Sequence, residues 1–187
     1  EEIRKMARRD ALTGLLNRGA IFETFAAELS RARRERTPIS IMMADVDHFK
    51  RVNDSLGHLA GDCVLRAVAD RLGAQVRPYD ALGRYGGEEF LVVLPGCSGA
   101  EALEVAERLR EFVAGSPIAC EGRPIPVTIS LGVTSIERVI SDAPEPLIAA
   151  ADAALYEAKH AGRNRVAVAP EPAQGAIPGE APSLGAI

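Results

Sequence analysis

The chain has 187 residues, 47% of them hydrophobic, and a formal net charge of −4 at pH 7. That length fits one domain with a sizeable core and a short tail, and the composition excludes disorder throughout. The acidic balance excludes a protein that coats nucleic acid, so no nucleic-acid polymer is expected as a partner, although a small basic pocket is still compatible with it. No run of about 18 apolar residues is present to span a membrane. Cys63, Cys97 and Cys120 are odd in number and lack metal-ligand spacing. They read as free thiols of a reducing cytoplasm, which sets the expected location.

The chain opens on Glu1, and residues 1–9 are dense in charge, so they read as the end of a linker helix arriving from an upstream region. Residues 10–18 form a turn-rich connector. Residues 20–36 carry Phe22, Phe25, Ala26 and Leu29 at helical spacing, stopped by Thr37-Pro38. Residues 39–44 are an apolar run short enough for a buried strand, ending abruptly in Asp45-Val46-Asp47. A short helix is expected over 49–56, closed by Gly57, and a second over 62–76.

Two strands, 81–85 and 90–94, flank Gly86-Gly87, which reads as a tight hairpin whose turn requires positive φ. Ser98 and Glu101 form a capping-box pattern for a helix reaching about Val113. A strand over 126–133, an Ala-rich helix that follows Pro144-Glu145-Pro146 and runs to Ala161 with Gly162 as its stop, and a strand over 165–169 complete the pattern. From Pro170 the composition turns to Pro, Gly, Ala and Ser, and residues 170–187 read as a disordered tail. The element order predicts an α+β sandwich, with a central, mainly antiparallel five-stranded sheet surrounded by helices.

The chemistry-bearing residues gather at the predicted ends of strands. Asp45 closes one strand and Glu88 follows the Gly-Gly turn. Two carboxylates on separate rigid elements are a sufficient protein share for Mg²⁺, which completes its shell with water and phosphate oxygens. Taken singly, each is as well explained as an exposed turn residue. Lys50, Lys159 and Arg163 have the charge to neutralise a triphosphate, and the last two would equally suit a helix C-terminus. Asn53 and Asp62 present donor and acceptor edges suited to guanine, and both residue types also favour helix caps.

Four segments carry a family resemblance. Asp45-Val-Asp-His-Phe-Lys-Arg-Val-Asn-Asp-Ser-Leu-Gly-His-Leu-Ala-Gly-Asp62 resembles the first signature of the GGDEF family. Arg84-Tyr-Gly-Gly-Glu-Glu-Phe90 resembles its naming motif. Asp10-Ala-Leu-Thr-Gly-Leu-Leu-Asn-Arg18 and Ala158-Lys-His-Ala-Gly-Arg-Asn164 resemble its N- and C-terminal signatures. They stand in family order and make residues 10–169 the expected catalytic domain. Ala11 and Gly19 depart from the usual residues, both in the N-terminal connector.

The resemblance implies a diguanylate cyclase, which condenses two GTP into cyclic di-GMP and two pyrophosphates, on a fold like that of nucleotidyl cyclase and polymerase palm domains. It implies Mg²⁺, with Mn²⁺ as the alternative, held by Asp45, Glu88, the Val46 carbonyl and Glu89. Glu88 would also act as general base and Lys50 would stabilise the transferred phosphate. Asn53 and Asp62 would read guanine. Lys159, Arg163 and the amides around His48 and Phe49 would hold phosphates, with Gly86 and Gly87 against the nucleotide. Because each GTP attacks the other, two copies of the domain must face each other as a homodimer, controlled by an upstream regulatory domain. Arg77-Pro-Tyr-Asp80 resembles the family's product-inhibition motif, with Arg108 as its secondary arginine, so cyclic di-GMP is the expected inhibitor. The plain alternative there is a surface ion pair. Three other readings of the whole chain are a silent module that senses GTP or cyclic di-GMP, a cyclase accepting ATP, and a purely structural dimerisation domain. The acids and bases retained at every matched position count against the first and the last.

Overall fold

The computed structural model describes residues 8–172. Twelve elements follow in chain order: α1 (Arg18–Glu35), β1 (Ile39–Val46), α2 (Phe49–Leu56), α3 (His58–Gly73), β2 (Ala81–Arg84), β3 (Glu89–Pro95), α4 (Gly99–Ala114), β4 (Ile118–Cys120), β5 (Arg123–Ile125), β6 (Ile129–Ile136), α5 (Glu145–His160) and β7 (Val166–Val168). The main sheet has the order β2-β3-β1-β6-β7, and β4 and β5 make a separate hairpin. Only the β6–β7 pair of the main sheet is parallel. The expected five-stranded, mainly antiparallel sheet between helices is therefore present.

Strand β1 sits at the centre and all eight of its residues are buried. Alternation splits it between two cores. Met42, Ala44 and Val46 face α3 and α4, packing with Val64, Val68, Leu72, Ala106 and Leu109. Ile39, Ile41 and Met43 face α1 and α5, packing with Phe25, Leu29, Leu147 and Leu155. Helix α5 lies very close to β6. A Cβ added at Gly132 would meet the Ala151 carbonyl oxygen at 2.0 Å and the Leu155 nitrogen at 2.2 Å. Both contacts are backbone atoms, so only glycine lets this helix settle on the sheet.

Several boundaries differ from the sequence reading. Strand β1 runs on to Val46, so Asp45 lies inside the sheet rather than beyond it. Helix α3 begins at His58, four residues before Asp62, so Asp62 occupies a helix interior and caps nothing. Neither Gly86 nor Gly87 has a positive φ. The β2–β3 connection spans four residues instead of two, and both Tyr85 and Gly86 donate their amides to the Glu89 carbonyl. The β4–β5 hairpin is an addition, turned by Glu121 and Gly122 at φ 49° and 77°. At Arg9 the chain is in a β-bridge with Leu16. The rest of the expected linker helix and most of the expected tail lie outside the described residues.

The expectation of three free thiols is overturned. Cys63 of α3 and Cys120 of β4 form a disulfide, with Cα atoms 6.0 Å apart across 57 residues of chain. Packing of α3 against β4 brings them together, and no local pattern announces it. Cys97 alone is free, and it is buried. Burial pushes its thiol up to about 11, so it behaves as an inert core group.

Closing so long a loop constrains the unfolded chain, and Cys63→Ser should lower the free energy of unfolding by about 2–4 kcal/mol. Urea titrations of the oxidised protein and the variant test this; equal midpoints would contradict it. Gly132→Ala should cost at least about 2 kcal/mol by overpacking α5 against β6, read in the same titration.

Candidate active site

The candidate site lies where β1 and α5 end and β3 begins. Asp45 is only 4% exposed. Across the sheet it stands opposite Glu89 of β3 on one side and Ser130 of β6 on the other. The Glu88 carbonyl accepts from the Val46 amide at 3.2 Å, which brings the Gly-Gly loop against the end of β1. Burial pushes the Asp45 carboxyl up to about 6. Lys159 pulls it down by hydrogen bond and charge, and the charges of Glu88 and Glu89 push it up again. The charges of Glu88, in the loop, and Glu89, at the start of β3, thus act on Asp45 at the strand ends.

Lys159, near the end of α5, forms an ion pair with Asp45 at 2.7 Å. The sequence placed Lys159 on phosphates or at a helix end, and the structure puts its ammonium on the first of the expected metal ligands. Glu89 lies over the loop, since a Cβ on Gly86 would meet its Oε2 at 2.2 Å, whereas Gly87 opens to solvent. The acidic group suits a hard divalent cation, because all its donors are oxygens. Among the described residues no three His, Cys, Asp or Glu side chains gather into a ready-made metal cage. A cation held there would take the rest of its shell from outside the chain.

Helix α2 begins directly after this corner. His48 precedes it at φ 57° and no side chain caps it, so first-turn amides point outward without a capping group. Lys50 is exposed on its first turn. Asn53, one turn further, packs its side chain against α3 at Gly61, where a Cβ would meet Asn53 Oδ1 at 2.0 Å. That Oδ1 is buried and has no hydrogen-bond partner. Leaving such an acceptor unmet costs about 1–3 kcal/mol, which a stable fold tolerates where a ligand donor completes it. Asp62 follows Gly61 on α3 and is half-buried. Arg163 is exposed beyond the end of α5, at φ 64°.

The second expected site lies elsewhere. The amide of Arg77 donates to Asp80 Oδ2 at 2.8 Å, and the Asp80 amide returns to the Arg77 carbonyl at 3.0 Å. Burial pushes the Asp80 carboxyl up, and the charges of Arg77 and Arg108 pull it down. The Arg77 guanidinium lies 5.8 Å from the centroid of the Tyr79 ring. Arg108 of α4 donates to the Gln75 carbonyl at 3.0 Å. The turn is therefore closed through main-chain amides, and the charges of both guanidinium groups act on one half-buried carboxylate.

Two further residues escaped the sequence reading. Arg84 donates twice to the Gly87 carbonyl, at 3.1 and 2.7 Å, and pairs with Asp10 at 3.3 Å. It thereby braces the loop that carries Glu88 and fastens the N-terminal connector to it. Its only sequence signal is its place at the head of the Gly-Gly motif. Asp47 is buried and bound by three donors.

The sequence pattern described as "Diguanylate cyclase, GGDEF domain" matches residues 7–165. The chain belongs to this family. Its sequence is 43% identical over 169 residues to the diguanylate cyclase DgcP of Pseudomonas aeruginosa, covering 90% of this chain and 25% of that protein. It is 44% identical over 164 residues to the response regulator PleD of Caulobacter vibrioides, covering 87% of this chain and 36% of that protein. This GGDEF chain thus spans between a quarter and about a third of the length of these relatives. The solved coiled coil and GGDEF domain of DgcB from Caulobacter crescentus, in complex with c-di-GMP, superposes with a TM-score of 0.84 at 32% identity, covering 90% of this chain and 88% of that one.

Arg84→Ala should cost about 1–2 kcal/mol of stability through the lost carbonyl contacts. Arg84→Lys should not restore it, because a lysine cannot bridge Gly87 and Asp10 with a planar fork. Urea unfolding of the two variants makes the comparison, and full recovery by lysine would contradict the bracing role.

Proposed function

We propose that this domain is a diguanylate cyclase, which joins two GTP molecules into cyclic di-GMP and releases two pyrophosphates. The observation that carries this reading is the buried Asp45 carboxylate, set opposite Glu89 beside the Gly-Gly loop and held by Lys159 at 2.7 Å. Such a crowded acidic pocket with a movable cation beside it is suited to a metal-bound triphosphate. The catalytic unit is residues 10–169.

Asp45, the Val46 carbonyl, Glu88 and Glu89 would hold Mg²⁺ or Mn²⁺. When bound, the cation supplies charge neutralisation on the phosphate oxygens and favours ionisation of the attacking hydroxyl. Lys159 exchanges the Asp45 carboxylate for triphosphate oxygens, together with Arg163 and the open amides at the start of α2. Lys50, exposed on the same turn, meets charge that develops on the transferred phosphoryl group. Glu88 takes the proton of the 3′-hydroxyl. The orphaned Asn53 Oδ1 accepts from the guanine amino group, and Asp62 accepts from the ring N–H and amino edge. An adenine edge would set acceptors against that carboxylate, which favours GTP over ATP.

One domain holds one GTP, and the 3′-oxygen of each must reach the α-phosphate of the other. A homodimer with facing sites meets that requirement, and an upstream regulatory domain would control the encounter. Cyclic di-GMP would act back at Arg77, Asp80 and Arg108, where the charges of two guanidinium groups act on a half-buried carboxylate. The reaction would take place in the cytoplasm, where GTP is available.

Concentrated protein incubated with GTP and Mg²⁺ should yield cyclic di-GMP by chromatography, and Glu88→Gln should yield none. A wild type that binds GTP but forms no product, even when dimerised by a fused coiled coil, would reduce the domain to a nucleotide-binding module. Arg77→Ala should raise the cyclic di-GMP concentration for half-inhibition at least about tenfold, the loss of one charge-assisted contact; unchanged inhibition would overturn that site.

A further inference from the structure

The turn after α5 is the most contorted backbone in the described chain. Gly162, Arg163 and Asn164 follow one another at φ 119°, 64° and 44°. Two of these residues carry side chains, and consecutive left-handed residues persist only where the surroundings hold them. The holding contacts are few. Arg163 donates its amide to the Ala158 carbonyl at 3.0 Å, an ordinary end to a helix. Arg165 Nε donates to the Arg163 carbonyl at 3.1 Å, and Arg110 Nη1 donates to Asn164 Oδ1 at 3.2 Å. Arg165 is exposed and Arg110 is half-buried. Asp47 anchors the turn from the interior through a charged side chain.

Asp47 is 6% exposed and its carboxylate is saturated from three directions. Thr128 Oγ1 donates to Oδ2 at 2.7 Å and Ser130 Oγ donates to Oδ1 at 2.7 Å. The Asn164 amide donates to Oδ2 at 3.0 Å, across 117 residues of sequence. The amide of Asp47 itself donates to the Thr128 carbonyl at 2.9 Å. The end of β1, the entry to β6 and the turn after α5 are thereby tied to one buried charge, two residues from Asp45 in sequence. A charged acceptor makes shorter and stronger bonds than a neutral one, which suits it to hold a strained turn.

We infer that Asp47 is a positioning residue: it clamps the left-handed turn at Arg163–Asn164 so that Arg163 faces the triphosphate beside Asp45. This rests on the reading of Arg163 as a phosphate ligand of a GTP-binding domain. With both carboxylate oxygens already bonded within the chain, Asp47 acts through the backbone of residue 164. Its effect is therefore confined to the phosphate end of the substrate, while the guanine end, built on α2 and α3, does not depend on it.

The test compares calorimetric affinities for the non-hydrolysable α,β-methylene analogue of GTP and for GMP, with Mg²⁺ present. In Asp47→Ala the triphosphate analogue should weaken at least about tenfold and GMP should stay within about twofold, as expected for one lost charge-assisted contact at one end of a ligand. Asp47→Asn, which keeps an acceptor for the Asn164 amide, should recover most of the loss. Asn164→Val attacks the same turn from the solvent side, because a β-branched residue disfavours the left-handed region. It should reproduce the selective loss even where Asp47→Ala does not fold. Equal weakening of both nucleotides, or of neither, in these variants would overturn the clamp while leaving the cyclase reading intact. A wild type that binds neither nucleotide would instead remove the GTP-binding reading itself.

Discussion

Everything at the active end of this domain follows from running a fully buried strand into a pair of carboxylates. Strand β1 has β3 on one side and β6 on the other, with helices above and below, so its last residues cannot reach bulk water. Buried charge is costly unless it is paired or hydrogen-bonded. Asp45 is met by Lys159. Asp47 is met by two hydroxyls and a distant amide. These partners come from β6, from the end of α5 and from the turn beyond it. Neutralising two buried acids therefore assembles the three elements that surround the candidate site.

The two solutions differ in a way that fits different tasks. Asp47 is saturated by neutral donors and has no mobile partner, which suits a fixed anchor. Asp45 has one long lysine, and burial together with Glu88 and Glu89 still pushes its carboxyl up to about 6. A carboxylate so poorly satisfied is a liability for the fold and an opening for a cation or a phosphate-bound metal. The close seating of α5 on Gly132 is what lets Lys159 reach it, so a missing side chain on β6 is part of the electrostatics of β1. Asn53 repeats the pattern on the other side of the site, with a buried acceptor whose partner must come from outside.

Local chemistry was readable in the sequence. The helix from Phe49 to Leu56 with Gly57 at its end, and the Ser98–Glu101 capping box, appear in the structure where their residue types require them. Short apolar runs marked the main strands, and the element order pointed to the sheet between helices. The contacts that escaped are those joining positions far apart in sequence. The Cys63–Cys120 bond spans 57 residues and depends on where α3 lands. The partners of Asp47 come from 81, 83 and 117 residues away. Arg84 was quoted only as the head of a motif, although it holds the loop behind it. The expectation of positive φ in the Gly-Gly loop was wrong, since neither glycine adopts it; Gly86 lies against the Glu89 carboxylate and Gly87 is open. The Glu121-Gly122 turn carried a legible hairpin signal that the flanking residues, with Pro124 among them, did not reinforce.

The central claim is that the buried acid at the end of β1 exists to receive a metal-bound triphosphate. The direct measurement is the affinity of a non-hydrolysable GTP analogue with Mg²⁺ and with a chelator, for the wild type and for Asp45→Asn. The account predicts that Mg²⁺ tightens binding at least about tenfold in the wild type and within about twofold in the variant, since a neutral amide is a poor ligand for a hard cation. The same metal dependence in both proteins would contradict it, and would return Asp45 to the role of a structural partner for Lys159.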